Sequence, residues 1–279
     1  MLSKFLPEDF DISKPIALIA GRGVYPKILA DAARAAGAQI RLIAFEDETT
    51  EELYNSFPDD QRGIFNVGQM GKWLKAIKRF ECGYAVAAGQ IKPGKLFRGL
   101  KPDLKAATIL MKLKRRNADT IFKAIGDAIE STGVQQLDAR IFLDDQMTEN
   151  GLITKKSEKI EDTYIQHGID IATEMARLDV GQGVVVRKGT VIAVEAFEGT
   201  DPMLKRAGTF KTDQMVFAKT VKENQDYRFD VPVFGLRTLE TMKEAHINTA
   251  LLKSDSVILL EKEKTLAAAN KAKIQIIGF

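Results

Sequence analysis

The sequence predicts an α/β protein in two parts: a parallel sheet flanked by helices, then a domain of mixed α+β character. Three observations carry this. The first 130 residues or so alternate short apolar runs with helical segments. After about residue 135 the pattern changes to a tight hairpin and further strand candidates. And 279 residues are many for one domain, so two domains of roughly 130–150 residues are the better fit.

The first strand is the apolar run Pro15 to Ala20, which ends in Gly21-Arg-Gly23. An alanine-rich helix follows from about Pro26 to Ala36, with proline at its start and Gly37 just past its end. Gln39 to Phe45 reads as the next strand, and Glu46 and Asp47 stand at its carboxyl end. A helix from about Met70 to Phe80, a strand from Tyr84 to Ala88 and a helix from Asn117 to Thr132 continue the series. Strand–helix–strand repetition of this kind builds a parallel sheet with helices on its faces. Residues 1–134 are therefore expected to form a Rossmann-like domain.

In the second part, Leu137 to Leu143 reads as a strand and Asp162 to Leu178 as an amphipathic helix. Gly183 to Arg187 and Thr190 to Val194 form a hairpin about a Lys188-Gly189 turn. Gln214 to Thr220, Arg228 to Phe234, Ser256 to Leu260 and Ile274 to Phe279 are further strands. The boundary is placed near residues 133–137, leaving an α+β domain over 135–279 whose topology the sequence does not give.

Composition removes several classes. With 45% hydrophobic and 28% charged residues this is an ordinary globular chain. No window approaches the roughly eighteen apolar residues of a membrane span, and the N-terminus is too acidic and too weakly apolar for a signal peptide. The single cysteine, Cys82, cannot form an internal disulfide, which fits a reducing cytosol, and it reads as a core thiol rather than a nucleophile. The two histidines, His167 and His246, stand in no metal-binding spacing, so a histidine-rich phosphoesterase centre and a zinc site are both disfavoured. Any bound metal is expected to be hard and oxygen-ligated, Mg²⁺ or Mn²⁺.

Four constellations stand out. Gly21-Arg-Gly23-Val-Tyr-Pro26 joins a strand to a helix start, where free N–H groups favour phosphate, with Glu46 or Asp47 as a carboxylate for ribose; a plain tight turn is the alternative. Gly68-Gln-Met-Gly71-Lys72 lacks the spacing and hydroxyl of a Walker loop. Glu195-Ala-Phe-Glu198-Gly199-Thr200-Asp201, with Lys205 and Arg206 one turn on, packs acids, a hydroxyl and cations as a metal–diphosphate site requires, although a helix cap at Thr200 or Asp201 explains part of it. In the stretch from Lys222 to Gly235, Asp226, Arg228 and Asp230 would share one face if extended.

These residues carry a resemblance to the LpxI-type UDP-2,3-diacylglucosamine pyrophosphatases. The chain has Leu18-Ile-Ala-Gly21-Arg-Gly23-Val-Tyr-Pro26, then Gly68-Gln-Met-Gly71-Lys72, Asp179-Val-Gly-Gln182-Gly-Val-Val-Val186 and Ala193-Val-Glu195-Ala-Phe-Glu198-Gly-Thr-Asp201-Pro-Met-Leu-Lys-Arg206. The last motif runs Lys222-Glu-Asn-Gln225-Asp226-Tyr-Arg228-Phe-Asp230-Val-Pro-Val-Phe-Gly235. Two departures are mild: Glu223 stands where the family commonly has proline, and Gln90-Ile-Lys92-Pro93 lacks an arginine before the proline.

The resemblance implies Mg²⁺-dependent hydrolysis of UDP-2,3-diacylglucosamine to UMP and 2,3-diacylglucosamine 1-phosphate, a step of lipid A synthesis, with Mn²⁺ as a substitute ion and the substrate between two domains. It implies Asp230 as the key carboxylate with Asp226 at a matching position, both expected to be catalytic, and the chemistry of the cluster adds Glu195 to Asp230 as an expected metal residue. Substrate contacts are expected from Gly21, Gly23, Pro26, Gly71, Lys72, Gln182, Glu198, Gly199, Thr200, Asp201, Arg206, Lys222, Gln225, Arg228 and Gly235. It further implies a cytoplasmic protein, peripheral on the inner face of the inner membrane, with a homodimer left open. The rival readings are an NAD-type oxidoreductase, suggested by the glycine loop, and a non-catalytic nucleotide–lipid binding protein.

Charge is uneven. The net charge is +3, yet Lys92, Lys95, Arg98, Lys101, Lys105, Lys112, Lys114, Arg115 and Arg116 face one acid, Asp103, within one segment. Interleaved leucines, Ile109 and Met111 suit that segment to an anionic bilayer surface, or to a helix with its apolar face in the core. Aromatic residues are too few there for nucleic acid, and no such partner is expected.

Overall fold

The computed structural model describes residues 2–91, 102–113, 118–155 and 159–279. They form two compact units, Met1–Asp144 with Tyr227–Phe229, and Asp145–Asp226 with Asp230–Phe279. Of the basic segment, residues 92–101 and 114–117 lie outside the described residues.

Unit 1 is built on parallel strands β1 (Ile16–Ala20), β2 (Ile40–Phe45), β3 (Arg62–Phe65), β4 (Tyr84–Ala88) and β5 (Gln135–Gln136), in the order β3-β2-β1-β4-β5. The order reverses at β1, which pairs with β2 on one side and β4 on the other. In doubly wound sheets the crevice at the carboxyl ends of such strands is where ligands bind. Every residue of β1 is buried, as expected for a strand covered on both faces. Helix α1 (Tyr25–Ala35) lays Leu29, Ala30 and Ala33 inward and packs on β1, β2 and β4. α2 (Glu51–Asn55) is capped by the Thr50 hydroxyl, which accepts from Leu53 N at 3.3 Å. α3 (Met70–Arg79) and α5 (Ala118–Glu130) share a core with Ala17, Ile19, Ile43 and Phe45, and α4 (Leu104–Lys112) joins its edge through Ala106 and Ile109.

Two expectations need correction here. Residues 137–143 are not a strand. Their odd positions are buried, which imitates period-two alternation, but the Asp138 carboxylate accepts from Arg140 N at 2.8 Å and turns the chain. The boundary also falls later than residue 134. Leu137 N donates to Ala85 O at 2.9 Å, the Tyr25 hydroxyl donates to Ala139 O, and Ala139 N donates to Tyr227 O at 2.9 Å. These bonds hold residues 135–144 and 227–229 in unit 1, where Phe229 stacks on Phe122 with ring centroids 5.7 Å apart.

Unit 2 has a six-stranded sheet in the order β6-β13-β11-β9-β7-β8, from β6 (Gly151–Leu152), β7 (Gly183–Arg187), β8 (Thr190–Val194), β9 (Met215–Lys219), β11 (Thr249–Leu252) and β13 (Gln275–Gly278). A separate parallel pair joins β10 (Val233–Phe234) to β12 (Ile258–Leu259). β9, β11 and β13 are parallel, and β7 and β8 form the expected antiparallel hairpin. Its turn puts Lys188 at φ 46° and Gly189 at φ 79°, both left-handed, as a two-residue turn matched to strand twist requires. Alternation then divides the core. Val185, Phe217, Ala250 and Leu252 face α7 (Thr200–Gly208), α8 (Leu236–Glu244) and α9 (Lys262–Ala272). Val184, Val186, Val216, Ala218 and Leu251 face α6 (Asp162–Arg177) on the other side.

One more expectation fails in unit 2. Arg228 to Phe234 is not one strand, since only Val233–Phe234 pairs. Asp230 N donates to Asp226 O at 3.1 Å, so the chain coils through a turn before Pro232, and Asp226, Arg228 and Asp230 do not line one extended face.

Candidate functional site

In unit 1 the loop after β1 meets the loop after β4. Gly21 N donates to Ala88 O and Arg22 N to Gln90 O, each at 2.8 Å. A Cβ on Gly21 would lie 2.5 Å from the Gln90 carbonyl oxygen, so glycine there serves the approach of two backbones. Gly23 is exposed at φ 90° with nothing within 4 Å of a built Cβ, which leaves its face open at the start of α1, and Pro26 is buried behind it. Arg22 Nε donates to the Glu48 carboxylate at 2.8 Å, and the Glu48 side chain is wholly buried. Glu46 accepts from Asn66 Nδ2 at 3.4 Å, and Asp47 takes a left-handed φ of 57°. The loop's charge partner is thus Glu48, one or two residues past the carboxylates the sequence suggested.

Gly71 and Lys72 lie in the first turn of α3, where a helix offers free N–H groups. Gly71 N donates to Asp103 Oδ2 at 2.6 Å, and Asp103 Oδ1 caps α4 by accepting from Ala106 N at 2.9 Å. Gly71 gives this carboxylate room, since a Cβ there would stand 3.0 Å from Oδ2. Lys72 is exposed beside it.

In unit 2, Asp230 is exposed and its carboxylate is oriented by two amides: Gln225 Nε2 at 2.8 Å and Gln182 Nε2 at 3.3 Å, both on Oδ2. Gln225 Nε2 also donates to the Asp230 carbonyl at 2.6 Å, while its Oε1 accepts from Gln182 Nε2 at 2.8 Å and Lys222 N at 3.2 Å. Gln182 is itself fixed through its carbonyl, which accepts from Thr220 N at 2.9 Å. Lys222 pairs with Asp179. Two motifs far apart in sequence, at 179–182 and 222–230, therefore converge. Arg228 pairs with Glu130 within unit 1, at 3.2 Å. Gly235 caps α8, its carbonyl accepting from Leu239 N at 3.0 Å.

A second cluster forms where β8 hands the chain to α7. Glu195 Oε1 accepts from the Thr200 hydroxyl at 2.8 Å, and Lys219 Nζ donates to the same hydroxyl at 3.0 Å. Lys219 Nζ also stands 3.8 Å from Glu195 Oε2. A Cβ on Gly183 would lie 2.5 Å from that Oε2, so the glycine makes room for the carboxylate. One turn away, Arg206 Nη2 pairs with Glu198 at 2.7 Å and holds the Glu198 carboxyl below its usual range. Asp201 pairs with Arg237 Nε at 2.5 Å, and Gly199 enters the helix at φ 83°.

Sequence reasoning missed Lys219 and Arg237. Lys219 ends the strand Met215-Val-Phe-Ala-Lys219, and its parity with Met215 and Phe217 was the available signal that it points toward α7. Among the described residues, no group of three or more His, Cys, Asp or Glu side chains converges as a closed metal cage. The donors present fit a hard divalent ion that takes one protein carboxylate and fills its shell with water and phosphate oxygens. Asp230, exposed and held by two amides, is such a carboxylate, whereas Glu195 faces an ammonium.

Two family models match the chain: the LpxI N-terminal domain over residues 15–146 and the LpxI C-terminal domain over residues 149–277. UDP-2,3-diacylglucosamine pyrophosphatase LpxI of Caulobacter vibrioides is 31% identical over 281 residues, covering 95% of this chain and 97% of the relative. With both halves matched and nearly the whole length aligned, the chain belongs to the LpxI family.

Proposed function

We propose that this chain hydrolyses the diphosphate of UDP-2,3-diacylglucosamine to UMP and 2,3-diacylglucosamine 1-phosphate, with Asp230 as the central carboxylate. The observation that carries the reading is the Asp230–Gln225–Gln182 constellation, within a chain aligned over 95% of its length with a relative of that name. A diphosphate resists water because its own negative charge repels the nucleophile. A bound Mg²⁺, or Mn²⁺, supplies charge neutralisation and a more acidic water. Asp230 would hold that ion, and its fixed carboxylate oxygen orients the attacking water or receives its proton. Gln182 and Gln225 keep the carboxylate in one rotamer, and the nearby Lys222 offers cationic charge for phosphate oxygens. Arg206 and Glu198 brace the start of α7. Asp226 anchors the turn through its carbonyl, and we assign it a secondary role in shaping that turn.

The substrate is a lipid, and we assign the protein to an anionic membrane surface. No helix among the described residues is long and apolar enough to cross a membrane. In α4, Leu104 is 86% and Met111 82% exposed, seven residues apart and so on one helical face, with exposed Lys105 beside Leu104. Such a face supports reversible, salt-sensitive attachment rather than insertion.

The functional test is release of UMP from UDP-2,3-diacylglucosamine before and after chelation. The reading expects activity to vanish in EDTA and to return with Mg²⁺ or Mn²⁺. Full activity in a metal-stripped sample contradicts it.

A further inference from the structure

Lys219 is an ammonium group in an unusual position. It is the last residue of β9, a central strand, and its side chain is 9% exposed. An ammonium carries three N–H donors and is costly to bury unless they are satisfied. Here one donor serves the Thr200 hydroxyl at 3.0 Å. The nearest carboxylate oxygen, Glu195 Oε2, is 3.8 Å away, close enough for Coulombic attraction but beyond hydrogen-bond reach. That oxygen is itself buried without a hydrogen-bond partner. A cation with unfilled donors therefore sits at the carboxyl end of β9, beside the N-terminal turn of a nine-residue helix.

The surroundings fix it there. Thr200 accepts from Lys219 and donates to Glu195 Oε1, so the hydroxyl has one orientation. Glu195 faces the ammonium across 3.8 Å, and Gly183 leaves space for Glu195. The N–H groups in the first turn of α7 and the positive end of its dipole favour an anion at the same place. Thr200 and Glu195, which flank the lysine, are both partly exposed.

We propose that Lys219 binds a phosphoryl oxygen of the substrate's diphosphate through its unfilled N–H donors, with Thr200 and Glu195 as its positioning residues. This rests on the hydrolase reading for the identity of the ligand but not for the existence of an anion site. A phosphate oxygen satisfies the ammonium where Glu195 Oε2 does not reach it. Such a bond is charge-assisted and strengthens as negative charge grows on the phosphate in the transition state.

The test uses the full chain and inorganic pyrophosphate with Mg²⁺ as the probe, measured by titration calorimetry, alongside steady-state hydrolysis of UDP-2,3-diacylglucosamine. Lys219→Met is expected to weaken pyrophosphate binding at least roughly tenfold and to lower kcat more than it raises KM, while Lys219→Arg restores part of both. A merely structural lysine would lower the melting temperature of Lys219→Met and leave pyrophosphate affinity at the parental value, which overturns the proposal. Absence of pyrophosphate binding by the parent overturns it too. Should Lys219→Met fail to fold, Thr200→Val removes the lysine's anchor at nearly constant volume. Binding weakened roughly threefold or more supports the proposal, and unchanged binding overturns it. If the parent binds pyrophosphate through Lys219 yet does not hydrolyse the lipid nucleotide, the functional reading fails and the anion site stands.

Discussion

Replacing Gln225 with leucine tests whether the orientation of Asp230 matters, and the structure gives a magnitude. Gln225 makes four hydrogen bonds: to Asp230 Oδ2 at 2.8 Å, to the Asp230 carbonyl at 2.6 Å, from Gln182 Nε2 at 2.8 Å and from Lys222 N at 3.2 Å. Leucine fills similar space and makes none of them. A hydrogen bond to a charged group contributes about 1.5–3 kcal/mol. Gln182 still reaches Asp230 Oδ2 at 3.3 Å, so the lower half of that range applies. About 1.5–2 kcal/mol of lost orientation corresponds to a kcat lower by roughly 10–30-fold, at 1.36 kcal/mol per decade. Because Asp230 is exposed, water replaces much of what the fold loses, and stability should fall by only about 1 kcal/mol. The assay is steady-state UMP release with circular dichroism as a fold control. A folded Gln225→Leu protein with kcat within about twofold of the parent would refute the reasoning, since no donor pair would then be needed to hold the carboxylate.

Other changes follow from the same geometry. Gly183→Ala places a Cβ 2.5 Å from Glu195 Oε2 and 3.1 Å from the Phe217 ring, so overpacking should cost about 1–3 kcal/mol and lower Tm by several degrees in calorimetry; an unchanged Tm would show that Glu195 is not held there. Burial pushes the Cys82 thiol up to about 12, more than Arg41 lowers it, so iodoacetamide at pH 8.5 should label the folded chain far more slowly than the urea-unfolded one. By linkage, the unfolded thiol ionises first as pH rises past its ordinary value of 9.0, so Cys82 should make the fold less stable from there up to about pH 12, and equal labelling of both states would contradict this. For the membrane assignment, Leu104→Ser with Met111→Ser should reduce co-sedimentation with anionic vesicles at low salt, while equal pelleting of parent and variant would make the helix face irrelevant.

What the sequence disclosed depended on how local the signal was. β1, α1, β2, α3, β4 and the β7–β8 hairpin each carry their own period and their own punctuation, and all form close to where the sequence places them. β11 is only four residues and wholly buried, and so short an apolar run has no period of its own by which to be read. Residues 137–143 show the opposite failure, for their buried odd positions arise from an Asp138 turn. The site divides in the same way. Asp230, Gln225 and Gln182 were legible as motif residues, but their meeting was not, since 43 residues separate the two glutamines. Lys219 is hidden within its strand, and Glu48 lies just past Glu46 and Asp47, the carboxylates nearest the end of β2. Contacts of this kind are set by tertiary packing, which no sequence window contains.

The most direct test of the central claim is a single-turnover reaction in ¹⁸O-water, comparing the parent with Asp230→Asn and resolving products by mass spectrometry. Hydrolysis requires one ¹⁸O to appear in one of the two phosphate products, and the label identifies the phosphorus attacked. The asparagine keeps the shape of Asp230 but removes its charge, so turnover should fall by roughly 10²–10⁴-fold, the usual contribution of a positioned acid–base group. Substrate binding should change far less. Products free of ¹⁸O, or a folded Asp230→Asn protein that turns over near the parental rate, would contradict the account.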